Sequence, residues 1–509
     1  MSLFPKHLSQ ARARLVQAGS ALVAAAMVAG CGAGYRPVVT PINPTGPASQ
    51  PSSLVAVVSS PSATSPGIAT IIDYAGDSIL AQAPIGPGPS TFTVDETGSA
   101  GYTVNSDGTL TNFPVDRTQL QPKYITYTTL PSTSRPLSLF SPSAGLWVAD
   151  LSGNQVDVLV GSPAVFKLSI PVVSTPVSVI GAGLGGQRYF VIEQASVSSG
   201  LECNLSPTTG LAGLVEGIEV TSYTVSSQIT VGKCPVFAVQ SPDGRRLFVL
   251  NRGDDTISVI NSQNNTLDTC TPFLNQNGKT VTCHPSLPLS LTAVNTLNAA
   301  NPGSGNPPNG TAGMGTTAGP IYAEFNSATN QLVVADYDGG TVSVIDVSLD
   351  EYGNDSPTFG TTFTIPVGKN PASVTALFDG SRAYTADQSD GTVSIVNLIS
   401  HTLEKKLTVN GHPRTVVSTQ NSLQGKVYAS SPDSPYLTIV RTDQDIVDAT
   451  VLVEGNIVDV RVSTQDAVRG NPNVVSRKPG YGQPCNLPPL PAGSAYPAGY
   501  MLADCQKMP

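Results

Sequence analysis

The sequence predicts an all-β protein assembled from repeated short-stranded units, and three observations carry that expectation. One phrase recurs: SPDGRRLFVLNRGDDTISVIN over Ser241–Asn261, NSATNQLVVADYDGGTVSVID over Asn326–Asp346, and FDGSRAYTADQSDGTVSIVN over Phe378–Asn397. In each copy a strand ending in a polar residue leads through a turn into a Thr-Val-Ser-Val-Ile strand. The β-branched residues of that strand alternate with hydroxyl residues, the period-2 pattern of a sheet with unequal faces. Beyond the N-terminus no long stretch carries a 3.6-residue apolar period.

Aligning on the polar residue that ends the second strand selects Ser59, Asn105, Asp150, Glu193, Asn251, Asp336, Asp387 and Ser431, spaced by 46, 45, 43, 58, 85, 51 and 44 residues. A period near 44 with four short strands per unit is the signature of propeller blades. The expected fold is therefore a closed β-propeller, with eight blades by repeat count. Seven is the alternative if one degenerate unit is not a blade. Asp243-Gly244, Asp338-Gly339-Gly340 and Asp390-Gly391 supply the turns.

The ends of the repeat predict how the ring closes. The first unit lacks an opening strand, running Leu54–Val58, Ile68–Asp73 and Ser78–Ile85, while a spare strand, Ile457–Val462, follows the last unit near Glu454. Termini that share one blade would hide the sheet edges that invite aggregation.

The pattern SPDG-x-x-hydrophobic-V-x-N-x-x-x-D-T-hydrophobic-S-V-I-[DN] is followed by a fourth strand ending Val231-Gly232-Lys233-Cys234-Pro235 or Val367-Gly368-Lys369-Asn370-Pro371. Together they resemble the YVTN-type β-propeller repeat. Copies at 235–261, 319–371 and 371–410 are close, and those at 89–128, 136–172, 176–232 and 413–454 keep the order of elements. The resemblance covers roughly residues 54–463 and implies the fold. It implies no single role, since such propellers occur in surface and periplasmic proteins of many kinds.

The N-terminus is expected to direct export. Lys6, Arg12 and Arg14 form a basic region, and Leu22–Val28 is an apolar run too short to span a bilayer. It leads into Val28-Ala29-Gly30-Cys31, which resembles the bacterial lipobox and makes Cys31 the expected lipidated residue after removal of residues 1–30. Gly32 after it resembles the default for outer-membrane sorting, so the expected location is the cell envelope, at the periplasmic face or the surface. Residues 31–53 read as a Pro/Ser-rich tether, reaching about 60 Å at roughly 3 Å per residue.

Without its first thirty residues the chain has twenty-three basic against thirty-five acidic residues, a net charge of −12. No basic stripe is present to neutralise phosphates, which excludes nucleic acid as a partner and leaves the lipid as the membrane attachment. Six cysteines remain besides Cys31, and six allow fifteen pairings. Pairing neighbours, as the propeller's loop geometry favours, gives Cys203–Cys234, Cys270–Cys283 and Cys485–Cys505 in an oxidising compartment. A metal site would need CxxC or histidines at ligand spacing, and neither occurs.

No HExxH, GxSxG, Walker or GxGxxG-before-helix motif is present, and the mature chain has only His284, His401 and His412. No cofactor is expected. The one constellation is polar: the turn after each second strand sets Asp107, Asp150, Glu193, Asn251, Arg252, Asp336 and Asp387 on one rim, with His412 from a loop between blades. They form either a mixed-charge funnel for a protein, a peptide or a small polar ligand, or turn caps recurring because every blade needs them. Insertions 195–216 and 268–320 decorate the scaffold, where recognition often lives. Residues 464–509 form a Pro/Gly-rich tail. The expected function is a lipid-anchored envelope binding or assembly module. The alternative is a lactonase-like envelope hydrolase using a carboxylate-bound cation in the channel.

Overall fold

The computed structural model describes residues 54–463 except 96–97, 132–133, 143–144, 182–187, 198–199, 202–210, 275–277, 279, 290–316, 351–352 and 420–424, together with the strand Val475–Arg477. The lipobox, the tether, Cys31, Cys203, Cys485 and Cys505 therefore lie outside the described residues.

Eight antiparallel sheets, six of four strands and two of five, follow one another along the chain as the blades of a propeller. The sixth shows why these residues fold this way. Its strands are Pro320–Asn326, Gln331–Asp336, Thr341–Asp346 and Thr362–Pro366, and the repeat phrase supplies the middle two with Asp336 opposite Thr341 and Gln331 opposite Asp346. Leu332–Asp336 and Thr341–Ile345 are buried at every position. Both faces of the middle strands are thus covered, because each blade packs between two neighbours. The alternation read as unequal faces instead separates an apolar face from a buried hydroxyl face. Aromatic pairs fill the seams, as in Phe237–Tyr322 at 4.8 Å and Trp147–Tyr189 at 5.0 Å. Each such ring contributes about 1.5–3 kcal/mol through burial.

Prolines mark the inner strands. Pro136, Pro235, Pro320 and Pro371 each open one, and the register slips within the next two or three residues. An inner strand has a partner on one side only, so the missing N–H costs no ladder bond there. The strand Val475–Arg477 lies antiparallel to Ser138–Phe140 at the inner edge of the third blade.

The ring closes as the sequence predicts. Asn456–Ser463 is the innermost strand of a blade whose other three strands are Leu54–Ser60, Pro66–Asp73 and Ile79–Pro87. Val57 pairs with Val460 and Leu54 with Ser463, whose hydroxyl accepts from the Leu54 amide at 3.2 Å. Lys426 secures the same seam, donating to Asp77 at 2.6 Å and to the Tyr74 carbonyl at 2.8 Å.

The two faces of the ring differ in kind. On the upper rim, second strands end and third strands begin, next to the linkers between blades. The lower face carries the turns between first and second and between third and fourth strands. Asp77, Asn265, His401 and Asp445 adopt left-handed φ there, between 49° and 57°. By strand direction, Leu54 enters and Ser463 leaves at the lower face. In the blade-four insertion, Ser196–Val197 pairs with Gly200–Leu201, and the third strand resumes at Ala212, earlier than the 195–216 span allots.

Ending the chain after Glu454 removes the closing strand and bares the inner edge of Leu54–Ser60. That truncation is expected to aggregate or to unfold without a cooperative transition, whereas deleting 464–509 leaves one sharp transition within a few degrees of the full chain. Circular dichroism melts and light scattering compare them, and a soluble, cooperatively folding product of the first truncation would refute the shared-blade closure.

Candidate functional site

The aligned polar residues are pins inside the blades. Ser59, Asn105, Asp150, Glu193, Asn251, Asp336, Asp387 and Ser431 are all buried. Asp336 accepts from Thr341 Oγ1 at 3.0 Å and Ser343 Oγ at 2.6 Å, and Asp387 from Thr392 at 3.0 Å and Ser394 at 2.6 Å. Asn251 fills the same place by donating to Thr256 at 3.1 Å and Ser258 at 2.9 Å. The serine hydroxyl in turn accepts an amide of the incoming linker, from Gly232 on Ser258 and from Gly368 on Ser394, each at 3.2 Å. Asp150 and Glu193 hold the linker directly, accepting from the Arg135 and Ser174 amides at 2.6 Å.

Of the other expected rim residues, Asp107 is exposed and caps its own turn, accepting from the Thr109 amide at 3.0 Å. Arg252 is buried and forks onto Asp338 of the next blade at 2.9 and 2.8 Å, over the Tyr337 ring. His412 keeps a partly exposed functional group at the rim. Its Nδ1 lies 2.5 Å from Asp433 Oδ2 and its amide donates to Oδ1 at 2.9 Å. Desolvation lifts the Asp433 carboxyl, but the His412 bonds outweigh it and the net shift is downward. A carboxylate that fixes Nδ1 leaves Nε2 as the working nitrogen.

Burial lifts the pins as acids. Desolvation, opposed by the Ser343 and Thr341 hydroxyls, pushes Asp336 up to about 7, and Asp387 rises to about 6 for the same reason. Glu193 rises further, to about 8, through desolvation and the neighbouring Glu216 carboxyl, to which it is hydrogen-bonded when one of the two is protonated. Glu216 occupies the third strand at the neck of the blade-four insertion, and accepts from Gln228 at 2.7 Å. Glu193 Oε1 and Glu216 Oε2 meet no hydrogen-bond donor among the described residues, and a neighbouring carboxyl disfavours the charged form of Glu193.

Sequence reasoning missed a second cluster, on the lower face. Arg246 lies 3.3 Å from Asp268 and 3.4 Å from Asp355, and all three are buried. His284, one-third exposed, meets Asp355 through its Nδ1 at 2.8 Å and its amide at 3.1 Å, with Phe359 stacked on its ring at 5.2 Å. Desolvation raises Asp268; Arg246 opposes the rise and Asp355 adds to it. The available signal was position, because Asp268 and His284 bracket Cys270 and Cys283. The Cys270–Cys283 disulfide is present, with Cα atoms 5.5 Å apart. Cys234 is also disulfide-bonded, and its expected partner Cys203 lies outside the described residues.

Inner strands are tied to one another around the channel. Glu324 accepts the Ala376 amide at 2.7 Å, Ser373 the Val416 amide at 2.9 Å, and Thr375 meets Ser418 at 3.0 Å. Among the described residues no group of three or more His, Cys, Asp or Glu side chains is placed to hold a metal ion.

A carboxyl raised by folding binds a proton that the unfolded chain has already released. It therefore destabilises the fold as pH climbs from its ordinary value towards its folded one. For Asp336 that window runs from 3.8 to about 7, and for Glu193 from 4.5 to about 8. The melting temperature is expected to fall between about pH 4 and pH 8. Asp336→Asn should flatten the fall, and be tolerated, because Asn105 and Asn251 already serve in that position; Glu193→Gln should flatten its upper half. A slope unchanged in both variants would place the proton uptake elsewhere.

No family model matches the chain, and no curated protein matches its sequence. Solved structures share its fold. Crystalline AztD from Citrobacter koseri is similar with a TM-score of 0.51 at 11% identity, over 81% of this chain and 97% of that one. The structure of apo AztD from the same organism scores 0.50 at 10% identity, over 81% and 98%. Dihydro-heme d1 dehydrogenase NirN in complex with DHE scores 0.50 at 14% identity, over 84% of this chain and 78% of that one. At such identities the likeness shows the fold alone: this chain is an eight-bladed β-propeller.

Proposed function

We propose that the protein is a lipid-anchored module of the bacterial cell envelope whose propeller binds a protein, a peptide or a small polar ligand on its upper rim. The observation that supports this best is the pairing of Leu54 with Ser463 at the lower face. The chain that follows Cys31 enters the propeller at that face, so its entry point lies away from the upper rim.

The rim offers a surface once its pins are set aside. Tyr436 and Leu452, paired across neighbouring strands of the eighth blade, are 41% and 56% exposed there, and Val173 of the linker into the fourth is 62% exposed. His412 and Asp433 supply the polar component beside the eighth-blade pair. Apolar side chains rimmed by polar groups mark binding surfaces more often than bare chance. The rim carboxylates of Asp150, Asp336 and Asp387, which a cation-dependent hydrolase could use, are already bonded inside their blades. Binding is therefore the reading the geometry supports best.

Cys31→Ser is expected to release the protein from the membrane fraction and abolish lipid labelling; a wild type that is soluble and begins at another residue would sink the anchor. For the rim, a photo-cross-linking residue at Val173 or Tyr436 in living cells should yield a discrete adduct, absent when the same residue replaces Ile79 or Val165 on the outer edges. Adducts from the edges but none from the rim would move the binding surface off the upper face.

A further inference from the structure

We propose that Cys270–Cys283 is a thiol–disulfide exchange site, open to an external dithiol, whose redox state decides whether the outer strand of the fifth blade is closed or parted.

That strand comes in two pieces. Thr266–Leu267 pairs with Ile260–Asn261, and Ser286–Pro288 pairs with Thr256–Ser258, so both pieces lie along one neighbour in one direction. Residues 268–285 leave the blade between them at a single point. There the Val259 carbonyl accepts the Asp268 amide at 2.9 Å, and the Val259 amide donates to the Pro285 carbonyl at 3.0 Å. An unbroken chain gives other outer strands their continuity; here the Cys270–Cys283 bond supplies it. The ribbon it encloses cannot, since among the described residues it pairs only Phe273–Leu274 with Thr280–Val281. A two-stranded ribbon is marginal by itself.

The same bond closes a contact between blades. Asp268 lies just before Cys270 and His284 directly follows Cys283. Both turn onto the buried pair of Arg246 and Asp355: Arg246 is 3.3 Å from Asp268 and 3.4 Å from Asp355. His284 meets Asp355 through Nδ1 at 2.8 Å and through its amide at 3.1 Å. Asp355 lies between the third and fourth strands of the sixth blade. Parting the two pieces therefore draws Asp268 and His284 off a cluster that joins two blades.

Accessibility singles out this bond. Cys270 is exposed and Cys283 partly so, whereas Cys234, also disulfide-bonded, is fully buried. Exchange needs a thiolate to reach a sulfur, and exposed disulfides are the labile ones. Thr269–Cys283 contains no Asp or Glu to repel that thiolate. One thiolate of the dithiol attacks Cys270 Sγ, the S–S bond breaks, and Cys283 leaves as a thiolate that takes up a proton. The second thiol of the reductant then attacks the mixed disulfide and releases Cys270. Two electrons pass to the protein, and the dithiol ends as a disulfide.

The test treats the full folded chain with graded dithiothreitol and follows each cysteine by isotope-coded alkylation and mass spectrometry. Cys270 and Cys283 are expected to be alkylated at least about tenfold faster than Cys234, and to re-form their bond on oxidation. Hydrogen exchange in the reduced chain should quicken at least about tenfold in peptides spanning Thr256–Asn261 and Val281–Leu289, with the inner strands unchanged. Cys270→Ser with Cys283→Ser should reproduce that pattern without reductant. Alkylation of Cys234 in step with Cys270 and Cys283 overturns the proposal, because reduction then follows unfolding. Unchanged exchange in the two peptides after reduction also overturns it. So does a double serine variant that does not fold, since the bond would then be a fixed part of the blade.

Discussion

Linkers between blades bring polar backbone to the top of a tightly packed seam, and their amides and carbonyls need partners where water is scarce. An unsatisfied buried amide costs about 1–3 kcal/mol. Side chains at the ends of second strands supply them: Ser59 and Ser431 donate to the Glu454 and Asn410 carbonyls. Asp150 and Glu193 accept the linker amide themselves, while Asn251 and Asp387 reach it through Ser258 and Ser394. Blade spacing, rim geometry and the burial of the middle strands all depend on that pin. It also explains the recurrence of acidic residues without a ligand, since a need of the scaffold arises in every unit.

Most of the fold was legible because it is periodic. The spacing of the pins gave the blades, and the unmatched strands at Leu54–Val58 and Ile457–Val462 gave the closure, with boundaries within two residues of those observed. The pinning itself was written in the phrase: Asp336 meets Thr341 and Ser343, five and seven residues on, within one copy. What period-2 reasoning could not supply was burial on both faces, since alternation shows that the faces differ and not what covers each. Pairs that cross a seam left no local trace. Arg252 finds Asp338 after 86 residues and Arg246 finds Asp355 after 109, separations stretched by insertions of arbitrary length.

Chemistry that differs from blade to blade appears where the repeat is broken. In the fourth, a glutamate stands where others have Asp, Asn or Ser, and its partner is Glu216 in place of a hydroxyl. Burial and the second carboxyl then raise Glu193 as an acid where other blades set hydroxyls against the pin. In the fifth, an interrupted outer strand creates a neck that Arg246, Asp268, His284 and Asp355 close with a disulfide beside them. Local rules yield at such points, and natural chains tend to spend that freedom on function.

The closure strand connects these departures to one another. Because Asn456–Ser463 is innermost and Leu54–Ser60 lies next to it, both ends of the propeller must leave at the lower face. Had the spare strand been supplied at the outer edge instead, the entering chain would have come down from the rim beside the pins. As built, the chain enters at the lower face, away from His412 and the Tyr436–Leu452 pair on the upper rim. One pairing of strands thus decides which end of the blades the termini of the ring occupy, and that follows from topology before any ligand is named.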